Sequence, residues 1–265
     1  MRPEHVVGHG DDLEFLYQLG QRGVPVEAEI AQVAYVDGSP AWRVLFPDCP
    51  GAIGVVPAAE AGVPEKIMLR LVGQGIRVIV KGIDRELKIA ACSRREAVAK
   101  AEAELRGRLK EGQVIEASVR AVVPGQPPSL LLDAGGGVMV EVPRKEAVRY
   151  LSRSLTEQYR PGQVIKAVVT GSDPLMLSVR KAYPDPFQVT VFKRGETISG
   201  TVCQVYDKQD GQRVVLVEPD LAPGMLGIAP APLMGEVVRG DRVSCVVATY
   251  RPEKHQLRLR IRGWA

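Results

Sequence analysis

The chain has 265 residues, a net charge of +4 and a hydrophobic fraction of 45%, but only 5% aromatic residues. No apolar run reaches the roughly 18 residues of a membrane helix, and Met1–His5 begins no apolar signal core, so a soluble cytoplasmic protein is expected. Its four cysteines form no C-x-x-C pair, which predicts buried reduced thiols and argues against a disulfide framework.

The first predicted element is a short helix over residues 11–19, inside an N-terminal lead-in of residues 1–21. The chain then repeats one phrase three times: Gly, two residues, a β-branched residue, then apolar residues alternating with others. The three copies are Gly23–Val33, Gly112–Val122 and Gly195–Val205. Alternation predicts half-buried strands, and the leading Gly predicts a turn with positive φ. Because an internal repeat determines the architecture, the chain is predicted to contain three similar modules.

Each repeat extends well beyond its first strand. A run ending in proline follows, then a second Gly-led strand and a closing alternating strand. About five short strands in roughly 70–85 residues are typical of the OB-fold, a small five-stranded barrel. The predicted fold class is therefore all-β, with three tandem OB-fold barrels and short connecting helices. The predicted barrels span residues 22–93, 111–182 and 193–265.

Two different connections are predicted between the modules. Residues 94–110 predict a linker helix that Ser93 caps. Its apolar stripe and two Glu–Arg pairs at i,i+4 favour a semi-rigid spacer; the residues are Val98, Ala101, Leu105 and Leu109, with Glu102–Arg106 and Glu104–Arg108. Residues 183–192 predict an extended Pro-rich linker that Tyr183 and Phe187 pin to neighbouring surfaces.

A further helical stripe is predicted inside the second module. It consists of Val148, Leu151, Leu155 and Tyr159. The expected helix would close one end of the second barrel. The nearby Gly135–Gly137 run predicts a hairpin turn and not a phosphate cradle, because no Lys-Ser or Lys-Thr follows it.

Three blocks in this order resemble one known family. They are the Gly-led first strand, Cys92–Arg95 followed by a charged helix and Glu111–Ile115, and Leu177–Phe187 (LSVRKAYPDPF). Together they resemble the repeated RNA-binding domain of the largest bacterial small-subunit ribosomal protein, the S-one family. The resemblance implies OB-folds that hold single-stranded RNA, on the ribosome or on messenger, and a role in translation.

The chain also departs from that family. RNA-binding repeats of the family usually carry aromatic residues on the second strand and a His after the third-strand Gly, a platform on which bases stack. Here Pro57, Pro143 and Pro230 occupy the His position, as in the family's ribosome-docking domains. Only the first module keeps aromatics on the second strand, so the second module is expected to bind RNA poorly.

Two groups of residues are the main RNA-binding candidates. Trp42 and Phe46 share one face of a strand and Arg43 lies on the other, so this strand could stack bases and hold a phosphate, or the aromatics could be core. In the third module Arg258, Arg260 and Arg262 share one strand face and could contact phosphates, or form a solvated surface. Further candidates complete these surfaces: Lys81, Lys88, Arg94, Arg95, Tyr206, Arg213, Tyr250, Arg251 and Lys254.

Two functions follow from these observations. The first is weak binding of single-stranded RNA, favoured by the resemblance, the pI near 8.9 and the arginine strand. The alternative is a protein-interaction adaptor whose barrels dock on a ribosomal or transcription protein, favoured by the missing aromatics and the modest charge. With three histidines and no nucleophile–base order, the sequence predicts no enzyme, no metal site and no cofactor.

Overall fold

The computed structural model describes residues 9–36, 38–209, 211–232 and 235–265. It confirms the all-β fold class, with three consecutive five-stranded barrels and few short helices. None of the helices described combines the length and the hydrophobicity that a membrane crossing requires.

The elements follow the three repeats. Helix α1 (His9–Gln21) precedes the first barrel, which contains β1 (Val26–Val36), β2 (Ser39–Phe46), β3 (Cys49–Pro57), α2 (Ala58–Ala61), α3 (Glu65–Met68), β4 (Gly75–Asp84) and β5 (Ile89–Ser93). Helix α4 (Arg94–Arg108) leads to the second, with β6 (Val114–Val123), β7 (Ser129–Asp133), β8 (Met139–Pro143), α5 (Arg144–Ala147), α6 (Leu155–Gln158), β9 (Val164–Ser172) and β10 (Leu175–Ser178). After α7 (Pro186–Val189), the third contains β11 (Thr197–Asp207), β12 (Arg213–Pro219), β13 (Gly227–Pro230), β14 (Arg242–Arg251) and β15 (Gln256–Trp264).

The first and third barrels are closed, and the second is nearly closed. Their strand orders are β1-β2-β3-β5-β4 and β11-β12-β13-β15-β14, each sealed by a parallel pair between the third and fifth strands. The second sheet runs β10-β9-β6-β7-β8, and no β8–β10 ladder forms in the described chain. Strand β10 has only four residues, so Val142 and Leu177 close this seam by packing in the core.

The repeated phrase has the same local structure in all three barrels. The predicted positive φ is confirmed at Gly23 (60°), Gly112 (83°) and Gly195 (87°). Each first strand also contains a β-bulge at the equivalent point, between Ile30 and Gln32 in the first barrel. A bulge increases strand twist, which helps a short strand bend around a small barrel.

The linker helix is confirmed as predicted from Ser93 onward. The Ser93 hydroxyl accepts the backbone N–H of Glu96 at 3.1 Å, as an N-cap does. The predicted apolar stripe packs into the core cluster of the second barrel. Glu102 and Arg106 form their i,i+4 pair at 2.9 Å, whereas the predicted Glu104–Arg108 pair does not form in the described chain. The helix therefore lies between the two barrels: its apolar stripe packs on barrel two, and Lys100 donates to the Gly23 carbonyl of barrel one at 2.8 Å.

The helix predicted over Val148–Tyr159 is wrong. The segment contains the single turn α6, and residues 148–154 form a loop. The predicted apolar side chains still pack in or against the core of barrel two, and the Tyr159 hydroxyl donates to the Ala147 carbonyl at 2.5 Å. The apolar side chains are three or four residues apart because a loop packs them against the barrel, and the backbone between them is not a continuous helix.

The Gly135–Gly137 turn is confirmed. Gly136 has a positive φ of 63°, and a Cβ at this position would lie 2.7 Å from the Ala101 methyl group.

The second linker is only partly extended. Asp185 caps α7 by accepting the backbone N–H of Phe187 at 3.0 Å, so residues 186–189 form one helical turn. The two predicted anchors are confirmed, since Tyr183 packs against the core of barrel two and Phe187 against that of barrel three.

Candidate nucleic-acid interface

Strand β15 presents a row of arginines on the outside of barrel three. Arg258, Arg260 and Arg262 are exposed, while Leu257 (1%) and Leu259 (2%) are buried in the core. This alternation confirms the predicted separation of the two strand faces. Because Arg258 lies beside Ile228 of β13, the row borders the third strand of the barrel.

The hairpin before β15 extends this surface. Arg251 and Lys254 are exposed, and in the described chain neither they nor the three β15 arginines form an ion pair. We call these five residues the basic strip: Arg251, Lys254, Arg258, Arg260 and Arg262. OB-folds bind nucleic acid through the strand 2–3 face and the loop between strands 4 and 5, and this hairpin is that loop. Like charges aligned on one strand repel unless an anion neutralises them.

The aromatic platform predicted on β2 is wrong. Trp42 (0%) and Phe46 (2%) are fully buried in the core of barrel one, and the Trp42 indole N–H donates to the Met68 carbonyl at 3.0 Å. Strand alternation does place both side chains on one face of β2, and this face points into the barrel. Arg43, on the outer face, is half-buried and lies between Gln32 and Val55 of the adjacent strands.

Three further predicted basic contacts already have acidic partners. Lys81 pairs with Glu96 at 2.6 Å and Arg95 with Glu60 at 2.7 Å. Arg213 pairs with Asp207 at 3.0 Å, and this hydrogen bond raises the pKa of the guanidinium. Lys88, in the β4–β5 hairpin, is exposed and has no ion pair in the described chain. Among the basic residues predicted to contact RNA, those without an ion pair in the described chain therefore lie mostly in barrel three.

The prediction that Arg94 contacts RNA is also wrong. Its side chain is 1% exposed and bridges two barrels, donating to the Ala61 carbonyl at 2.8 Å and the Gly137 carbonyl at 2.6 Å. Burial lowers the pKa of this guanidinium to about 10, and the Asp133 charge partly offsets that effect. Arg94 is thus a structural cation between barrels one and two.

Barrel one covers the outer face of β6 and β7 in barrel two. Ala121 and Leu131, on the outside of β6 and β7, are buried in the same cluster as the core of barrel one. The Gln74 amide donates to the Arg120 carbonyl at 2.9 Å, and the Arg120 guanidinium donates to the Gly75 carbonyl at 2.5 Å. This arrangement gives a physical reason for the expected poor RNA binding of barrel two, because its first two strands face protein.

Tyr250 anchors the linker to barrel three. Its ring stacks on Phe187 with centroids 6.1 Å apart and meets Phe192 edge-on at 5.7 Å. Its hydroxyl donates to the carbonyls of Thr190 (2.5 Å) and Phe187 (3.1 Å). These contacts assign Tyr250 a role at the linker, and its predicted RNA contact stays a prediction. Tyr206, at the end of β11, is 38% exposed and stays a candidate.

The linker anchor should weaken in acid. The Phe187 N–H and the nearby His255 ring hold the pKa of the Asp185 carboxyl below its usual range. A lowered folded-state pKa gives stabilisation above about pH 4, and this is lost as the pH falls through the folded-state value. We expect the protection factors of the α7 amide protons, which correct for the pH dependence of intrinsic exchange, to fall below about pH 4. Asp185→Ala should show the same low protection already at pH 7. Equal protection in the variant and the wild type at pH 7 would contradict this anchoring.

The structure also assembles a stack that sequence reasoning missed. The Arg153 guanidinium lies 4.6 Å from the centroid of the Tyr150 ring, and the Arg149 guanidinium lies 5.4 Å from Tyr150 and 4.3 Å from Tyr183. We call these four residues the Arg–Tyr stack. Tyr183 comes from the linker, so no local pattern could predict the set. The only local signal is two arginines flanking Tyr150 in a loop.

No family model matches the sequence, and no curated protein matches it. Among solved structures, a multidomain protein with nucleic acid binding domains from Streptococcus pneumoniae TIGR4 is 14% identical over 91% of this chain and 73% of its own, with a TM-score of 0.23. Mycoplasma genitalium RNase R in complex with ribose-methylated single-stranded RNA is 12% identical over 57% of this chain and 21% of its own, with a TM-score of 0.22. Its apo form is 11% identical over the same shares, also with a TM-score of 0.22. Such identities and TM-scores establish no function.

Proposed function

We propose that the protein binds single-stranded RNA and that the basic strip of barrel three is its main contact surface. The observation that carries the proposal is the β15 row, in which Arg258, Arg260 and Arg262 are exposed on one face without an acidic partner in the described chain. Strand residues two apart are about 6.6 Å from each other, so the three arginines span about 13 Å. That length suits contacts with successive phosphates of an extended strand.

The expected binding is mainly electrostatic and weak. Aromatic stacking strengthens single-strand binding by about 1–3 kcal/mol per base, and the β2 platform that would supply it is buried. The covered face of barrel two removes a second possible surface. Charge contacts through barrel three therefore dominate in this proposal.

A salt titration of the full chain with an unstructured RNA tests the proposal. Each phosphate contact on a single strand contributes about −0.7 to the log–log slope of affinity against salt, so three contacts give about −2. Between 50 and 200 mM salt, affinity should then fall about 16-fold. Fluorescence anisotropy with a labelled oligonucleotide measures this directly. Absence of saturable binding at 50 mM salt would overturn the proposal.

A protein-interaction adaptor is the second candidate, and one surface favours it. The outer face of β2, β3 and β5 in barrel one is largely apolar, with Leu45 47% exposed and Ile53, Val55 and Ile89 half-buried around Arg43. Interface cores are typically depleted of charge in this way. An adaptor would bind its protein partner through this face, with RNA affinity that does not depend on the β15 arginines.

Location on the ribosome and a role in translation form the finer part of the proposal. Their support is the resemblance of the three sequence blocks to the S-one family, in which proline at the His position accompanies ribosome docking. A cytoplasmic location and the absence of catalysis belong to the same proposal.

A further inference from the structure

We infer that the junction between barrels two and three contains a nucleotide-binding cleft, in which one unpaired RNA base lies against the Arg–Tyr stack. This inference rests on the proposed function and adds a second, stacking contact away from the basic strip. The β2 aromatics that were predicted to supply such a contact are buried in barrel one.

The loop that carries the stack is held rigidly by its neighbours. The Gln158 side chain accepts the N–H groups of Arg149 (3.0 Å) and Tyr150 (2.8 Å) and donates to the Tyr150 carbonyl at 2.9 Å. From barrel three, the buried Glu218 carboxylate accepts the N–H groups of Leu151 (2.9 Å) and Ser152 (2.8 Å). Since these contacts use backbone groups, the side chains of the stack stay free to face a ligand.

The stack has the chemistry that binds a base. Unpaired bases stack on aromatic rings and on guanidinium planes. Arg153 forms the outer end of the stack, is exposed and has no ion pair in the described chain. The Tyr150 ring behind it is half-buried and contacts its guanidinium, which restrains the Arg153 side chain and lowers the entropic cost of stacking.

Three acidic residues near Tyr150 and Arg153 already have hydrogen-bond or ion-pair partners. The Glu157 carboxylate accepts hydrogen bonds from the backbone N–H and the hydroxyl of Ser154, both at 2.6 Å. These two bonds are the main cause of its lowered pKa. Asp220 pairs with Arg242 at 2.6 Å. Glu218 has the buried amide partners described above and also accepts from Gly224 at 2.7 Å. Glu218 and Asp220 line the cleft together with Arg153 and Arg242, so its formal charges balance, and Arg153 is the cation there without an ion pair in the described chain. The contact proposed for the base is therefore stacking rather than net charge.

A cleft lies beside the stack at the boundary of the two barrels. It has a volume of about 310 Å³, and Tyr150, Arg153 and Ser152 line one side while Thr201, Asp220 and Arg242 line the other. This volume lies at the lower end of the range for small-ligand sites. Its hydroxyl, carboxylate and guanidinium groups can hydrogen-bond the edge of a base that stacks on Arg153. Both barrels contribute, so only the assembled junction forms the site.

The test is RNA affinity of Tyr150→Ala and Arg153→Lys in the full chain, measured at several salt concentrations. The Tyr150→Ala variant should bind RNA about 5- to 150-fold more weakly than the wild type, because it loses one stacked base. The salt slope should not change, since no charge is removed. Arg153→Lys keeps the charge but lacks the planar group, so it should also weaken binding at constant slope. Tyr150→Phe should bind as the wild type does.

Tyr35→Ala is the matched control, because Tyr35 is 76% exposed on barrel one and belongs to no such stack. It should leave affinity unchanged. Wild-type affinity in both Tyr150→Ala and Arg153→Lys would overturn the cleft but leave RNA binding by the basic strip intact. Failure of the wild type to bind RNA would overturn the proposed function and the cleft together. If Tyr150→Ala lowers the melting temperature, its affinity is not used, and the affinity of Arg153→Lys decides whether the cleft binds RNA, because Arg153 is exposed.

Discussion

Replacing Arg258, Arg260 and Arg262 together with alanine should strongly reduce the salt dependence of RNA binding. The wild-type slope of about −2 should become much flatter, because each lost phosphate contact removes about 0.7 from it and only Arg251 and Lys254 of the basic strip remain. Affinity at 50 mM salt should fall close to the wild-type value at high salt. The fold should persist, since Leu257 and Leu259, which face the core on the same strand, are unchanged. Titration at four salt concentrations, with circular dichroism as the folding check, measures both effects.

The control for this variant changes the net charge equally at another place. Arg77 and Arg85 on barrel one and Arg95 at the start of α4 are exposed and pair with Glu27, Glu14 and Glu60. Their triple alanine variant also loses three positive charges but no residue of the basic strip. It should keep a slope near −2. If the β15 variant binds RNA with wild-type affinity and slope, the arginines are a solvated or protein-docking surface and the adaptor becomes the better proposal.

Replacing Trp42 with alanine should destabilise barrel one by about 3–5 kcal/mol. The indole is fully buried and its N–H bonds to the Met68 carbonyl, so the variant leaves a large cavity and an unpaired carbonyl. The whole of a typical domain's stability is only about 5–15 kcal/mol, so barrel one should be partly unfolded near 37 °C. Urea unfolding followed by circular dichroism measures the change.

Trp264 provides the matched control. It is the second of the two tryptophans and is 56% exposed, so Trp264→Ala should change stability by less than about 0.5 kcal/mol. Trp42→Phe tests whether the indole contacts RNA. It should retain RNA affinity at temperatures where barrel one is folded. Lost RNA affinity with unchanged stability would show that Trp42 reaches the ligand after all.

The fold was predictable because its signals are local and occur three times. A Gly-led turn, alternating apolar residues and a closing strand each depend on a few neighbouring residues, and repetition excludes a chance match. Ser93 and the stripe through Leu105 predicted α4 for the same reason. The helix predicted over Val148–Tyr159 failed because apolar spacing alone does not distinguish a helix from a loop pressed against a barrel end.

The site was predictable only where exposure follows from strand alternation. On β15 one face carries leucines and the other carries arginines, so the sequence alone shows which face points into the core. On β2 both faces contain apolar residues, Trp42 and Phe46 on one and Leu45 on the other, and sequence could not tell which faces the core. The structure buries the larger side chains, because they exclude more apolar surface from water.

The sequence by itself determined the three barrels, the capped linker helix and the arginine row, because strand alternation, turn glycines and caps act between residues close in the chain. Only the tertiary structure decided which surfaces remain open. It placed barrel one over the outer face of barrel two, buried Arg94 between Ala61 and Gly137, and brought Tyr183 of the linker onto Arg149. These contacts join residues from different modules, and their geometry depends on how folded barrels pack against each other.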